Sequence, residues 1–161
     1  MWFFMLSCYV LSVVTFLTLM IAFFQSFLHF SIFQANHVTF MILASIIYFL
    51  TETLVIFFFV GTGVSIKEYT QEHHMDNRYR QRSLDVKRRV YPPLLLNMLF
   101  MIILFVMVGA VDTYRIPAWA YYFLFGGCIF HYLRIKVVQN DCFRHNTQII
   151  LDMSGVDKKV V

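Results

Sequence analysis

Apolar residues run along this chain in four long blocks, and polar residues collect between them. Trp2–Phe24 carries no charge, Val38–Val60 carries only Glu52, and Leu94–Val111 is uncharged but holds Asn97. Pro117–Leu133 is the shortest block, uncharged with His131 near its end, where Arg134 can snorkel outward. A hydrocarbon core about 30 Å thick needs about 20 apolar residues per helical span. The pattern predicts an all-α integral membrane protein, a four-helix transmembrane bundle with spans at about 2–24, 38–60, 94–111 and 117–133. The remainder is an inner loop, 64–91, and an inner tail, 134–161, and the chain reads as a single transmembrane domain.

Composition agrees: 60% of the 161 side chains are hydrophobic and 14% charged, too apolar for a soluble domain of this size. Charge then orients the bundle. Of 13 Lys and Arg, all but Arg115 fall between 64 and 91 or beyond 133. Translocating cationic segments is disfavoured, so both regions belong on the inner, cytoplasmic side. Four spans return the N-terminus there too, which gives an N-in, C-in topology. A bacterial plasma membrane and an organelle membrane fit equally. Trp119, Tyr121, Tyr122 and Tyr114 suit the outer interface, and Trp2, Tyr91 and Tyr132 the inner one. The uncharged N-terminus lacks the basic region and cleavage site of a signal peptide and reads as a retained span. Cys8, Cys128 and Cys142 are not placed for an extracellular disulfide.

Gly61-Thr62-Gly63 is expected to end the second span with a close backbone contact. Ser65-Ile66-Lys67-Glu68 fits a capping box opening a short inner helix to about His74. Pro92-Pro93 is expected to open the third span, where missing amide donors cost little. Asp112–Pro117 is short enough to make the last two spans an antiparallel hairpin.

Depth brings buried polar residues together. At about 1.5 Å per residue, Glu52 lies about 21 Å down its span and His131 about 21 Å down the fourth. Asn97 is about 8 Å above Pro92, and Ser7 and Cys8 sit at a comparable height. Ser45, Tyr48 and Glu52 share one helical stripe. Leu124, Gly127 and Cys128 share the His131 face, with Gly127 suited to close helix contact. A carboxylate in the membrane must be paired or protonated, and depth offers His131 and Asn97 as partners. Glu52, Asn97, His131 and Tyr48 therefore form a candidate cluster, either a proton or ligand site or a packing knot that fixes register.

On the outer side His29, His37 and Asp112 could supply metal or haem ligands, but their spacing matches no ligand pattern, and the cofactor stays unknown. Inside, Arg78, Arg80, Arg82, Lys87, Arg88 and Arg89 could meet anionic lipid, at about 1 kcal/mol each, or a partner protein. Cys142-x-x-His145 is too small a set for a metal site, and Gly61-x-Gly63 lacks the rest of a phosphate loop. No nucleic-acid motif or catalytic set appears, so enzyme activity is left open. The class expected first is an accessory subunit of a larger membrane complex, partnered by the bilayer and by other membrane subunits or further copies. A proton-coupled transporter or channel using Glu52 and His131 comes second, and a haem- or metal-binding redox protein third.

Overall fold

The computed structural model describes residues 2–28, 30–31 and 35–155. It contains four helices: α1 (Trp2–Leu28), α2 (His37–Glu72), α3 (Arg78–Asp112) and α4 (Ala118–Ser154). They pack in a ring, each against the next and α4 against α1. Cross-helix pairs show the alternating direction. Thr15 meets Thr51, Phe23 meets Phe125, and Asn97 meets His131. Consequently α2 and α4 run parallel, and they also touch across the diagonal, as Phe58 against Phe143 shows.

Burial is inverted relative to a soluble bundle. Glu52 is 0% exposed whereas Phe123 is 83% exposed, the arrangement expected where lipid replaces water around the helices. By length and composition α1, α2 and α3 could each cross a membrane. The fourth span expected from sequence is weaker. Its apolar stretch includes two tyrosines, a Trp and a Gly pair, and it meets His131 and Arg134 before reaching the length of the others. Packing against α3 and α1 holds α4 in the ring.

The inner half differs from the expected loop and tail. Helices α2, α3 and α4 have 36, 35 and 37 residues, so each is about 53–56 Å long against a hydrocarbon core of about 30 Å. The expected break at Gly61–Gly63 is absent, and α2 runs straight through. Ser65 caps nothing; its hydroxyl donates to the Gly61 carbonyl one turn back, as Thr62 does to Phe58. A Cβ at Gly61 would meet open space, so no close backbone contact exists there. At Gly63 the end of the Lys87 side chain occupies the space a Cβ would take. Buried Ile66 and Thr70 carry the α2 stripe onward, and this packing outweighs the cost of two glycines, about 1 kcal/mol each.

Likewise Pro92 and Pro93 lie inside α3 rather than at its start. They deny the Arg88 and Arg89 carbonyls their helical donors, but buried Ser83, Val86 and Val90 anchor the helix upstream. The α2–α3 connection shrinks to residues 73–77, with His74 at φ 49°. Buried Ile135, Gln139, Cys142, Asn146, Ile149 and Met153 extend α4 to a left-handed cap at Gly155, φ 71°.

The core has two apolar compartments. The outer one joins Leu19, Ala22, Met41, Ala44, Met101, Leu104 and Phe125; the inner one joins Val55, Phe58, Phe59, Val90, Leu94, Phe143 and Ile149. A polar layer separates them. Tyr121 and Tyr132, expected at the membrane interfaces, are core residues. Tyr132 donates to the Ser12 carbonyl and Tyr121 bonds the His37 ring. Gly127 faces outward with open space at its Cβ position and makes no close helix contact.

Ala44 is fully buried in the outer compartment. Ala44→Leu should overpack it and cost about 1–3 kcal/mol. Thermal unfolding in detergent should show a clear fall in Tm, whereas an unchanged Tm would mean this compartment is loosely packed.

Candidate functional site

The polar layer is assembled from all four helices. Thr15 of α1 shares a 2.7 Å hydrogen bond with Thr51 of α2, and Thr51 also donates to Ile47. One residue on, Glu52 points across the bundle to α4. Lys136 Nζ donates to its Oε1 at 2.8 Å and Gln139 Nε2 to its Oε2 at 2.8 Å. Lys136 also bonds Gln139 Oε1 at 2.9 Å and lies over the Tyr132 ring, 4.6 Å from the centroid. Both carboxylate oxygens are thus satisfied, and the ammonium is held by two acceptors and an aromatic face.

The expected partners of Glu52 form a separate pair. His131 Nδ1 and Asn97 Oδ1 are 3.1 Å apart on the α3–α4 side, with Phe100 edge-on to the imidazole. Tyr48, on the Glu52 stripe, approaches Asn97 without an ordinary hydrogen-bond geometry for its hydroxyl or the Asn97 amide. Glu52 therefore takes Lys136 and Gln139 in place of His131 and Asn97. Helical phase is the reason: Tyr132, Lys136 and Gln139 lie on the α4 face turned to α1 and α2, and His131 lies on the flank turned to α3. Cys8 is near Glu52 and Lys136, whereas Ser7 is half-buried and bonds its own helix.

Lys136 and Gln139 are absent from the cluster expected from sequence because residues beyond 133 read as tail. The usable signal was the spacing of Cys128, Tyr132, Ile135, Gln139, Cys142 and Asn146, which repeats every three to four residues and is buried throughout.

At the outer end His29 lies outside the described residues. His37 Nε2 is 2.8 Å from the Tyr121 hydroxyl, and Asp112 is the last residue of α3. Asn36 caps α2 by accepting from the Thr39 amide. Gln25 ties down the connection through its amide, which donates to the Phe30 and Ala35 carbonyls. No three His, Cys, Asp or Glu side chains converge as a metal site among the described residues. In α4, Cys142 is buried against the Val86 carbonyl while His145 turns out to Asp141, so the two do not face one ligand.

The inner basic residues are largely neutralised within the chain. Arg82 pairs with Asp152 at 2.6 Å and Arg89 with Asp141 at 2.7 Å, both joining α3 to α4. Arg78–Asp76 and Arg88–Asp85 are local, exposed pairs near 3.8 Å and 3.7 Å that add little stability. Lys87 lies over Gly63 without a carboxylate partner among the described residues, and burial pushes its ammonium below the usual 10.5.

Comparison with protein-family models, curated proteins and solved structures gives no match. Fold and site together define a small helical membrane protein whose core is tied by a buried acid–base–amide triad.

Breaking a buried ion pair by removing one partner costs about 3–5 kcal/mol. Glu52→Ala and Lys136→Met should each destabilise by that order in denaturant unfolding, and the double variant by much less than the sum. Strict additivity would show that the two groups do not interact. For Lys87 the folded state binds fewer protons than the unfolded state between its lowered value and 10.5, so its penalty is full below that window and fades as pH rises. Lys87→Met should therefore raise Tm at neutral pH, with a gain that shrinks towards pH 10.5. A gain independent of pH would assign the effect to packing alone.

Proposed function

We propose that this chain is a non-catalytic subunit of a larger membrane assembly, oriented with both ends inside and docked through the inner ends of α2 and α4. One observation carries the reading. Helix α1 sits between α2 and α4, and past Phe4 its seat continues as an apolar groove of about 520 Å³ that no described residue covers. Phe57, Phe58, Ile66 and Tyr69 form one wall, and Ile150 and Met153 the other. Continuity with the α1 seat fits an apolar helical segment of a second polypeptide. Glu68 and Glu72 stand one turn apart on α2, beside the groove-lining Ser65 and Tyr69, and neither has a cationic partner among the described residues. The segment that fits carries Lys or Arg opposite them.

The polar layer supports a structural role within this reading. A proton-coupled carrier built on Glu52 and His131 calls for a shared path between them. Here each is satisfied by different neighbours, as a register-fixing knot would be.

Purification in mild detergent should yield stoichiometric foreign subunits. Tyr69→Glu, which places a carboxylate in the groove without touching the core, should release them while the bundle stays folded by circular dichroism. A lone chain, or partners retained by Tyr69→Glu, would contradict the proposal.

A further inference from the structure

A second crevice opens alongside α1. It lies between α1 and α4, has a volume of about 270 Å³, and is lined by Tyr9, Val13, Phe16, Tyr132, Lys136 and Asn140 among others. Along α4 it spans Tyr132 to Phe143, about 17 Å of helix. Its two ends differ chemically. Towards the bundle centre Val13, Phe16 and Leu133 give it apolar walls, and Val13 is 59% exposed to the surrounding phase. Towards the inner end Lys136, Gln139 and Asn140 join the lining beside Tyr9 and Phe143, and nearly all the surface turned to the crevice itself is apolar.

Donors stand at the edge of that end. An ammonium has three N–H groups, and Lys136 commits two of them, to Glu52 and Gln139. Its side chain keeps 19% of its surface exposed. The Tyr9 hydroxyl donates to Asn140 Oδ1 at 2.6 Å, which fixes the amide and leaves its nitrogen free to donate. Arg144, one turn further along α4, lies near enough to act electrostatically on Tyr9 and has no carboxylate partner among the described residues. The Glu52 charge is matched by Lys136, so Arg144 leaves the crevice mouth with uncompensated positive charge.

We infer that the α1–α4 crevice holds one anionic phospholipid of the adjoining leaflet, its acyl chain against Val13, Phe16 and Leu133 and its phosphate at Lys136, Asn140 and Arg144. An apolar crevice with Asn140 and Arg144 at its inner edge matches the orientation of a lipid already in that leaflet, with the head at the inner surface and the chain towards the midplane. Charge complementarity selects an anionic head over a zwitterionic one. The site is distinct from the Arg78–Arg89 segment, most of whose cations already have carboxylate partners. It also shares no lining residue with the partner groove, which lies past Phe4 between α2 and α4, so either proposal can fail alone.

The test is native mass spectrometry of the full chain released from vesicles of equimolar phosphatidylglycerol and phosphatidylcholine. One phosphatidylglycerol should be retained in preference to phosphatidylcholine. Arg144→Ala should lower that occupancy about fivefold, the effect of one interfacial cation. Val13→Trp, a lipid-facing change that fills the crevice, should abolish it, and Arg88→Ala on α3 should leave it unchanged. Equal retention of the two lipids would overturn the assignment. So would full retention by Arg144→Ala and Val13→Trp, or an equal loss in Arg88→Ala, which would indicate diffuse surface charge.

Discussion

A carboxylate buried in an apolar bundle constrains everything around it, and Glu52 sets this architecture. Left alone it would cost several kcal/mol. Its two oxygens are met from the diagonal helix by an ammonium and an amide that also bind each other. That geometry holds the parallel α2 and α4 at one height and in one rotation, because a one-residue slip would turn Lys136 and Gln139 by about 100°. The pairing fixes the diagonal, and α1 and α3 fill the two grooves it leaves. The net stabilisation of such a triad over an apolar replacement can be small. Its main effect here is to specify a single register between two apolar compartments that could otherwise slide.

The same layer explains why the helices overrun the membrane thickness. Below Glu52 the inner compartment continues with Phe58, Phe59, Val90, Phe143 and Ile149, and the α3–α4 pair is pinned further by Arg82–Asp152 and Arg89–Asp141. Three helices thus extend inward as one packed unit. The two proposed contacts meet different parts of α1, the partner segment at Phe4 and the lipid along the Tyr9–Phe16 stretch that faces α4.

Much of the fold was legible from hydropathy alone. Four blocks became four helices, Asp112–Pro117 became a tight hairpin, and the Ser45–Tyr48–Glu52 stripe is buried as its spacing required. Asn97 and His131, at one depth by residue count, do hydrogen-bond. Residue count fixes height and not rotation, and Glu52 at the same height turns to Lys136 and Gln139 instead. The inner extension was hidden for another reason. Its buried face is marked by Ser83, Thr70, Gln139 and Asn146 as much as by aliphatic side chains, and Gly61–Gly63 and Pro92–Pro93 imitate helix boundaries. Tertiary packing overrides both local signals.

The parallel diagonal contact of α2 and α4 is the central claim, and a site remote from Glu52 tests it most directly. Thr62 Oγ1 and Asn146 Oδ1 are 3.5 Å apart in the inner compartment. In a chain with its three native cysteines replaced, Thr62→Cys and Asn146→Cys together should form an intramolecular disulfide in native membranes under mild oxidation. Rapid, near-complete closure within one chain is expected. Failure to close, or closure only between copies, would contradict the register that Glu52, Lys136 and Gln139 impose.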